Sequence, residues 1–163
     1  MERRILLMRH AKSGWDDATL HDHQRPLNTR GVKDAPRIAQ TLHRLKWSPE
    51  RVFVSDSKRT LSTLEGMKVI FGDVTTHVME SLYLAPVSTI LECIEKASQD
   101  EVTLILSHNP GTEMVLYELT GELHEMPTAA CAMLVEQNGK WHCHRILRPK
   151  ELDQYESETG HVL

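Results

Sequence analysis

The chain is poor in the features that mark secreted, membrane-bound or nucleic-acid-binding proteins. It has only three cysteines, Cys93, Cys131 and Cys143, with no C-x-x-C pair among them. An odd count at such spacings fits reduced thiols rather than a secreted disulfide framework. No apolar run approaches the roughly 18 residues of a spanning helix. The apolar part of the amino-terminal stretch, Ile5-Leu-Leu-Met8, is too short for a signal peptide. The expected location is therefore cytoplasmic, with no membrane partner. A basic excess is also missing: 19 Lys+Arg stand against 23 Asp+Glu, a net charge of −4. Binding a phosphate backbone calls for a basic surface, so no nucleic-acid partner is expected, although a local basic pocket is still allowed. Eight Gly and seven Pro are too few for a fibrous or disordered chain. At 163 residues the chain makes one domain, large enough to build a core without disulfides or structural metal.

What is present is an alternation of short apolar runs with helical patterns. Ile5–Met8, ending in Arg9-His10, reads as a strand buried on both faces. The polar stretch from Ala11 to Asn28 is too long for a plain connection, which points to function. A helix follows to about Leu45, with Ile38, Ala39, Leu42 and Leu45 on one face, and Pro36 places its first turn between Thr29 and Asp34. Arg51–Val54 reads as a second strand. Ser55 or Ser57 caps a helix carrying Leu61, Leu64, Met67 and Val69, and Gly72 ends it. His77–Met79 is a weak third strand, Val87, Ile90, Leu91, Ile94 and Ala97 mark a helix face, and Val102–Leu106 is a clear fourth strand. Pro110 and Gly111 open a further helix bearing Met114, Val115 and Leu119. Ala130–Val135 and Trp141–Leu147 flank Asn138-Gly139, a hairpin signal, with 131 expected opposite 146 and 143 opposite 134. The pattern predicts an α/β domain over residues 1–147 with a mostly parallel sheet and an antiparallel C-terminal hairpin. A loosely held polar tail over 148–163 completes the chain.

In such a sheet, ligands bind beyond the carboxyl ends of the strands. Arg9-His10-Ala11-Lys12-Ser13 follows the first strand, Ser55-x-x-x-Arg59-Thr60 the second, Glu80 the third and Ser107-His108-Asn109 the fourth. Two histidines, two arginines, a lysine and a carboxylate on one sheet edge are expensive to desolvate unless they meet an anion. Arginine forks and capped helix N-termini suit a phosphoryl group. The usual phosphate motifs are absent. There is no G-x-x-x-x-G-K-[ST], no cysteine with an arginine six residues on and no D-x-D-x-T. The histidines remain as nucleophile candidates. His21-Asp-His23 and His142-Cys-His144 invite a metal reading. The first lacks the aspartate that would complete H-x-H-x-D and the second lies on the hairpin, so no metal or other cofactor is expected.

Leu7-Met-Arg9-His10-Ala-Lys12-Ser13, Arg25-Pro-Leu-Asn-Thr-Arg-Gly31, Val54-Ser-Asp-Ser-Lys-Arg59-Thr60 and Leu106-Ser-His108-Asn109-Pro110 stand in order at successive strand ends. Together they resemble the histidine phosphatase superfamily, and within it the SixA-type phosphohistidine phosphatases, over about residues 4–147. The family's Arg-His-Gly signature reads Arg9-His10-Ala11 here, so the backbone after His10 cannot rely on glycine geometry. The resemblance implies a three-layer α/β/α, phosphoglycerate-mutase-like fold. It also implies that His10 accepts the phosphoryl group, that Arg9, Arg59 and His108 bind its oxygens, and that phosphohistidine is the intermediate. His10 would attack as neutral imidazole, whereas His108 would serve protonated. Glu80 is a candidate acid for the leaving group, against the reading of an ordinary loop carboxylate. Lys12, Ser13, Arg25 and Asn109 are candidate phosphate or substrate contacts. The expected function is a metal-independent phosphatase acting on a phosphorylated protein at phosphohistidine. The alternatives are a phosphatase of a small phosphorylated metabolite and a non-catalytic phosphate-binding module on the same fold.

Overall fold

The computed structural model of the protein describes residues 2–154. Six strands, β1 (Arg3–Arg9), β2 (Arg51–Ser55), β3 (Thr75–Met79), β4 (Val102–Ser107), β5 (Cys131–Gln137) and β6 (Lys140–Leu147), form one sheet in the order β3-β2-β4-β1-β5-β6. The pairs β3–β2, β2–β4 and β4–β1 are parallel, and β1–β5 and β5–β6 are antiparallel. Four helices cover it: α1 (Thr29–Arg44), α2 (Lys58–Phe71), α3 (Val87–Glu95) and α4 (Gly111–Thr120).

Side chains on a strand alternate between its two faces, so an unbroken apolar run must be covered on both. Leu6 and Met8 pack with Leu104, Val54 and the apolar faces of α1 and α2, including Ile38, Leu42, Leu64 and Met67. Ile5 and Leu7 pack on the opposite face with Phe53, Ile105 and residues of α3 and α4, including Ile90, Ile94, Val115 and Leu116. The result is the expected α/β/α sandwich.

The local signals hold in detail. Asn28 caps α1 by accepting from the Gly31 amide, and Pro36 lies inside the helix rather than in its first turn. Ser57, not Ser55, caps α2, and Gly72 at φ 75° closes it. Asn138 and Gly139 both take positive φ, the requirement of a two-residue primed turn. The hairpin keeps Leu134 opposite Cys143, but a bulge between Met133 and Leu134 places Cys131 opposite Leu147 instead of residue 146.

Two features hold the long connection after β1. Its ends are stitched by Gly14 N–H to the Pro26 carbonyl at 3.0 Å and Asn28 N–H to the Lys12 carbonyl at 2.9 Å, beside a bridge between Ser13 and Leu27. Gly31 also packs directly on this backbone: a Cβ there would stand 2.1 Å from the Lys12 carbonyl oxygen.

The tail expectation is corrected at its start. Pro149–Glu151 forms a 3-10 turn, and Leu152 is fully buried in the α1/α2 side of the core. A hydrophobic side chain with a place in the core anchors this segment despite its polar neighbours. Residues 155–163 of that predicted tail lie outside the described residues. Leu152→Ala is expected to lower stability by about 2–4 kcal/mol, measurable as a drop in the urea midpoint. An unchanged midpoint would mean that the segment does not contribute to the fold.

Candidate active site

The parallel strands β1, β2 and β4 are neighbours, so their carboxyl ends open onto one place. β1 delivers Arg9 and His10, and β4 delivers His108. The turn from β2 leads through the Ser57 cap to Arg59 in the first turn of α2. These side chains meet around a cavity of about 220 Å³, also lined by Lys12, Ser13, Arg25, Asn109, Trp15, Leu84 and Thr128.

Arg59 is the hub. It is 3% exposed, and its Nε donates to His10 Nε2 at 3.3 Å while Nη2 lies 3.4 Å from His108 Nδ1. Its outer edge grips Asp22, with Nη1 on the carbonyl at 2.7 Å and Nη2 on Oδ2 at 2.9 Å. Arg25 holds the other side of Asp22, Nη1 to Oδ1 at 2.9 Å, and donates through Nη2 to Ser13 Oγ at 2.5 Å. The Tyr83 hydroxyl also donates to Asp22 Oδ2. Burial by itself would raise the Asp22 pKa, but the bonds from Tyr83, Arg59 and Arg25 outweigh it and hold the carboxylate well below its usual range.

The histidine tautomers follow from their partners. His10 Nδ1 lies 2.7 Å from the Ala11 carbonyl, so it carries the proton and leaves the Nε2 lone pair facing the cavity. His108 Nδ1 receives Arg59, so its proton sits on Nε2 and is donated to Ser55 Oγ at 2.9 Å. Burial pushes His10 down to about 4, with Arg59, Arg9 and Arg25 adding to the effect and the Ala11 bond only partly opposing it. Burial also pushes His108 down to about 3, followed by the influence of His10 and Arg59. His108 is therefore neutral in the anion-free site, and the protonated ring expected of the working site calls for a bound anion to stabilise it. Arginines already supply the charge, and a second cation among them is disfavoured.

Both shifts carry a stability signature. An ordinary imidazole takes a proton near 6.5, and these two resist it in the folded state until pH falls to about 4 or 3. The unfolded chain therefore binds more protons below pH 6.5. The stabilisation is complete above that pH and is lost as pH falls toward the folded values. The urea midpoint is expected to drop between pH 7.5 and 4.5, and to drop less in His108→Gln. A flat midpoint across this window would mean that the two rings are solvated.

The other predicted residues divide. Lys12, Ser13 and Arg25 line the cavity with the four central side chains. Asn109 lines it too, but its Nδ2 already donates to Glu113 Oε1 at 3.0 Å and to the Met126 carbonyl at 2.9 Å, so its amide holds scaffold. Glu80 is not brought in. It is exposed, opens the 3-10 turn Glu80–Leu82 and does not line the cavity, whereas Leu84 beyond that turn does. Ala11 needs no glycine geometry: its φ is not positive, and its amide donates to Thr63 Oγ1 at 3.0 Å.

Sequence reading missed Asp22 and Tyr83, and named Ser55 at its strand end without its bond to His108. Asp22 lies inside the His21-Asp-His23 motif considered for metal. His23 pairs instead with Asp56 at 2.9 Å, and among the described residues no three His, Cys, Asp or Glu gather to hold a metal ion. A lone acid in a loop whose neighbours carry several arginines was the available signal. The four cations Arg9, Lys12, Arg25 and Arg59, countered locally by Asp22, make the cavity a site for an anion.

The sequence pattern of the histidine phosphatase superfamily (branch 1) matches residues 5–83. An uncharacterised chloroplast protein of Arabidopsis thaliana is 33% identical over 152 residues, spanning 86% of this chain and 70% of that protein. An uncharacterised protein of Mycobacterium leprae is 34% identical over 161 residues, spanning 89% of this chain and 96% of its own length. The crystal structure of the "putative phosphohistidine phosphatase SixA" from Agrobacterium tumefaciens matches with a TM-score of 0.82 at 27% identity, covering 90% of this chain and 98% of that one. The protein histidine phosphatase SixA complexed with tungstate matches with a TM-score of 0.79 at 26% identity, covering 91% and 99%. The superfamily's sequence pattern and the solved structures that share the sheet and helices agree with what the strand-end motifs imply: the chain belongs to the histidine phosphatase superfamily, branch 1, and is SixA-like.

Proposed function

We propose that this SixA-like chain is a metal-independent phosphatase that removes phosphate from phosphohistidine on a protein, with His10 as nucleophile. The observation that carries the reading is the composition of the cavity. It holds an imidazole whose unprotonated Nε2 faces four cations and accepts only from Arg59 at 3.3 Å, yet no carboxyl group among the described residues lines it, and nearby Asp22 is held ionised.

In the first step the His10 Nε2 lone pair attacks phosphorus, and the bond from phosphorus to the substrate's imidazole nitrogen breaks. That ring leaves with the bonding pair, and it leaves as neutral imidazole when the phosphoramidate enters protonated. In the second step water attacks the phosphoryl group on Nε2, the P–N bond breaks and inorganic phosphate is released. Arg9 and Arg59 would hold the phosphoryl oxygens, joined by His108 once the bound anion draws a proton onto its Nδ1, and the N-terminal turn of α2 would add its dipole. Alkyl phosphates release an alkoxide and need a placed acid. The cavity offers none, whereas a P–N bond does not require one. The similar SixA structure is complexed with tungstate, a tetrahedral oxyanion, which supports an oxyanion as the ligand of such a fold.

The test is hydrolysis of phosphohistidine, p-nitrophenyl phosphate and phosphoserine in EDTA. Turnover is expected to survive chelation, with phosphohistidine fastest and phosphoserine slowest. Metal dependence, or phosphoserine as the best substrate, would overturn the reading. Binding of phosphate without turnover of any substrate would leave a binding module. Glu80→Gln is expected to change all three rates by less than about twofold, as for a surface substitution outside the site. A selective loss on phosphoserine would restore Glu80 as the acid.

A further inference from the structure

A second cavity of about 420 Å³ lies beside the first, and the two share Arg9, Lys12 and Thr128. Its cations are Arg9, Lys12, Arg30, Arg148 and Lys150. In a chain of net charge −4 this depression carries a local field of the opposite sign. Its two carboxylates, Glu125 and Glu151, do not cancel it. Glu151 faces Arg148 at 3.6 Å, and Arg148 also donates to the Glu125 carbonyl. Arg30 faces Asp34 at 3.4 Å. Lys12 and Lys150 are exposed and have no partner among the described residues, and Arg9 Nε is buried without one.

We propose that this groove takes the carboxylates of acidic residues that flank the phosphohistidine on the protein substrate. The inference rests on the phosphohistidine reading above and adds what surrounds the phosphorylated residue. Same-side residues of an extended segment are roughly 7 Å apart. With phosphorus at His10, a carboxylate two positions along falls in the neighbouring depression, where Lys12 and Arg9 face both. Lys150 and Arg30 at the far wall then select for charge rather than shape.

The experiment uses two peptides carrying a non-hydrolysable phosphotriazolylalanine, one flanked by Glu and one by Ala. Their affinities are measured at low salt for the wild type and for a Lys150→Glu, Arg30→Gln double variant. The acidic peptide is expected to bind wild type at least about tenfold tighter, a sum of several individually weak exposed pairs. In the double variant the advantage is expected to shrink to within about threefold. Both residues are exposed and outside the catalytic cavity, so turnover of p-nitrophenyl phosphate is expected to be unchanged and reports an intact fold. Equal binding of the two peptides, or a preference that persists in the double variant, would overturn the proposal. If 3-phosphoglycerate competes with p-nitrophenyl phosphate in a way that depends on Lys150 and Arg30 while the peptides show no preference, a small phosphorylated carboxylate occupies the groove and the protein source is overturned. Failure of the phosphohistidine reading itself would be seen separately, as loss of phosphohistidine hydrolysis with p-nitrophenyl phosphate turnover intact.

Discussion

His10→Ala is expected to lower turnover of phosphohistidine and p-nitrophenyl phosphate by about 10⁴-fold or more, the scale of deleting a nucleophile that acts as part of a unit. His10 is the side chain whose lone pair faces the cavity with its other nitrogen already committed to a backbone carbonyl, so no neighbour is placed to replace it. His108 cannot substitute, because its Nδ1 receives Arg59 and its Nε2 is turned to Ser55. Anion binding is expected to survive, since the four cations around the cavity remain. The informative experiment therefore pairs a rate with a binding isotherm for tungstate: turnover lost and affinity kept within a few-fold. Residual turnover near wild type would move the nucleophile elsewhere. Loss of binding together with turnover would mean that the variant had collapsed the pocket. Quenching the wild type in alkali, where the P–N bond survives, with labelled substrate is expected to show phosphate on His10, absent in the variant.

Arg59→Ala is expected to cost about 10²–10³ in kcat/KM, the range for removing a preorganised donor to a developing oxyanion. Two effects act together. The guanidinium supplies charge where the phosphoryl oxygens sit, and it joins both histidines to Asp22. Without it, Asp22 keeps Arg25 and Tyr83 but loses its partner on the side facing the histidines. The carboxylate would then lower the positive potential of the cavity it now borders. Arg59→Lys is expected to recover little, because one ammonium cannot span three partners in a plane. Recovery of most of the activity by lysine would reduce Arg59 to a point charge and remove its role as an organiser.

Much of the site is legible in the sequence because the catalytic side chains follow directly on strands. Arg9-His10 and Ser107-His108 leave their strands with no room for alternative placement, and Arg59 is fixed by the Ser57 cap two residues before it. Asp22, Tyr83 and the bond of Ser55 to His108 escape because their partners are set by how separate segments fold together. Asp22 meets Arg59 from 37 residues away and Tyr83 from 61. The placement of Glu80 has the same origin. β3 stands at the sheet edge, separated from β1 by β2 and β4, so roughly 14 Å lies between the two strands, and the chain returns to the site only beyond the turn Glu80–Leu82, with Tyr83 and Leu84. The state of His108 was hidden for another reason, since its burial, with His10 and Arg59 beside it, belongs to the assembled pocket and not to the tripeptide. Among structural details, the hairpin bulge and the burial of Leu152 lacked a local signature, while the Asn138-Gly139 turn carried one.

The stitches that close the long connection after β1 separate two jobs along one loop. Lys12, Ser13 and Arg25 stand near the fastened ends, next to the phosphate cavity, whereas residues 16–21 form its free, exposed tip. Lengthening a loop whose base is already closed adds little entropy penalty, about 0.6 kcal/mol for each doubling. Descendants of this architecture can therefore acquire or discard a covering flap at the tip while the anion-binding base stays in register. An insertion at the tip would change access to the cavity without moving Lys12, Ser13 or Arg25.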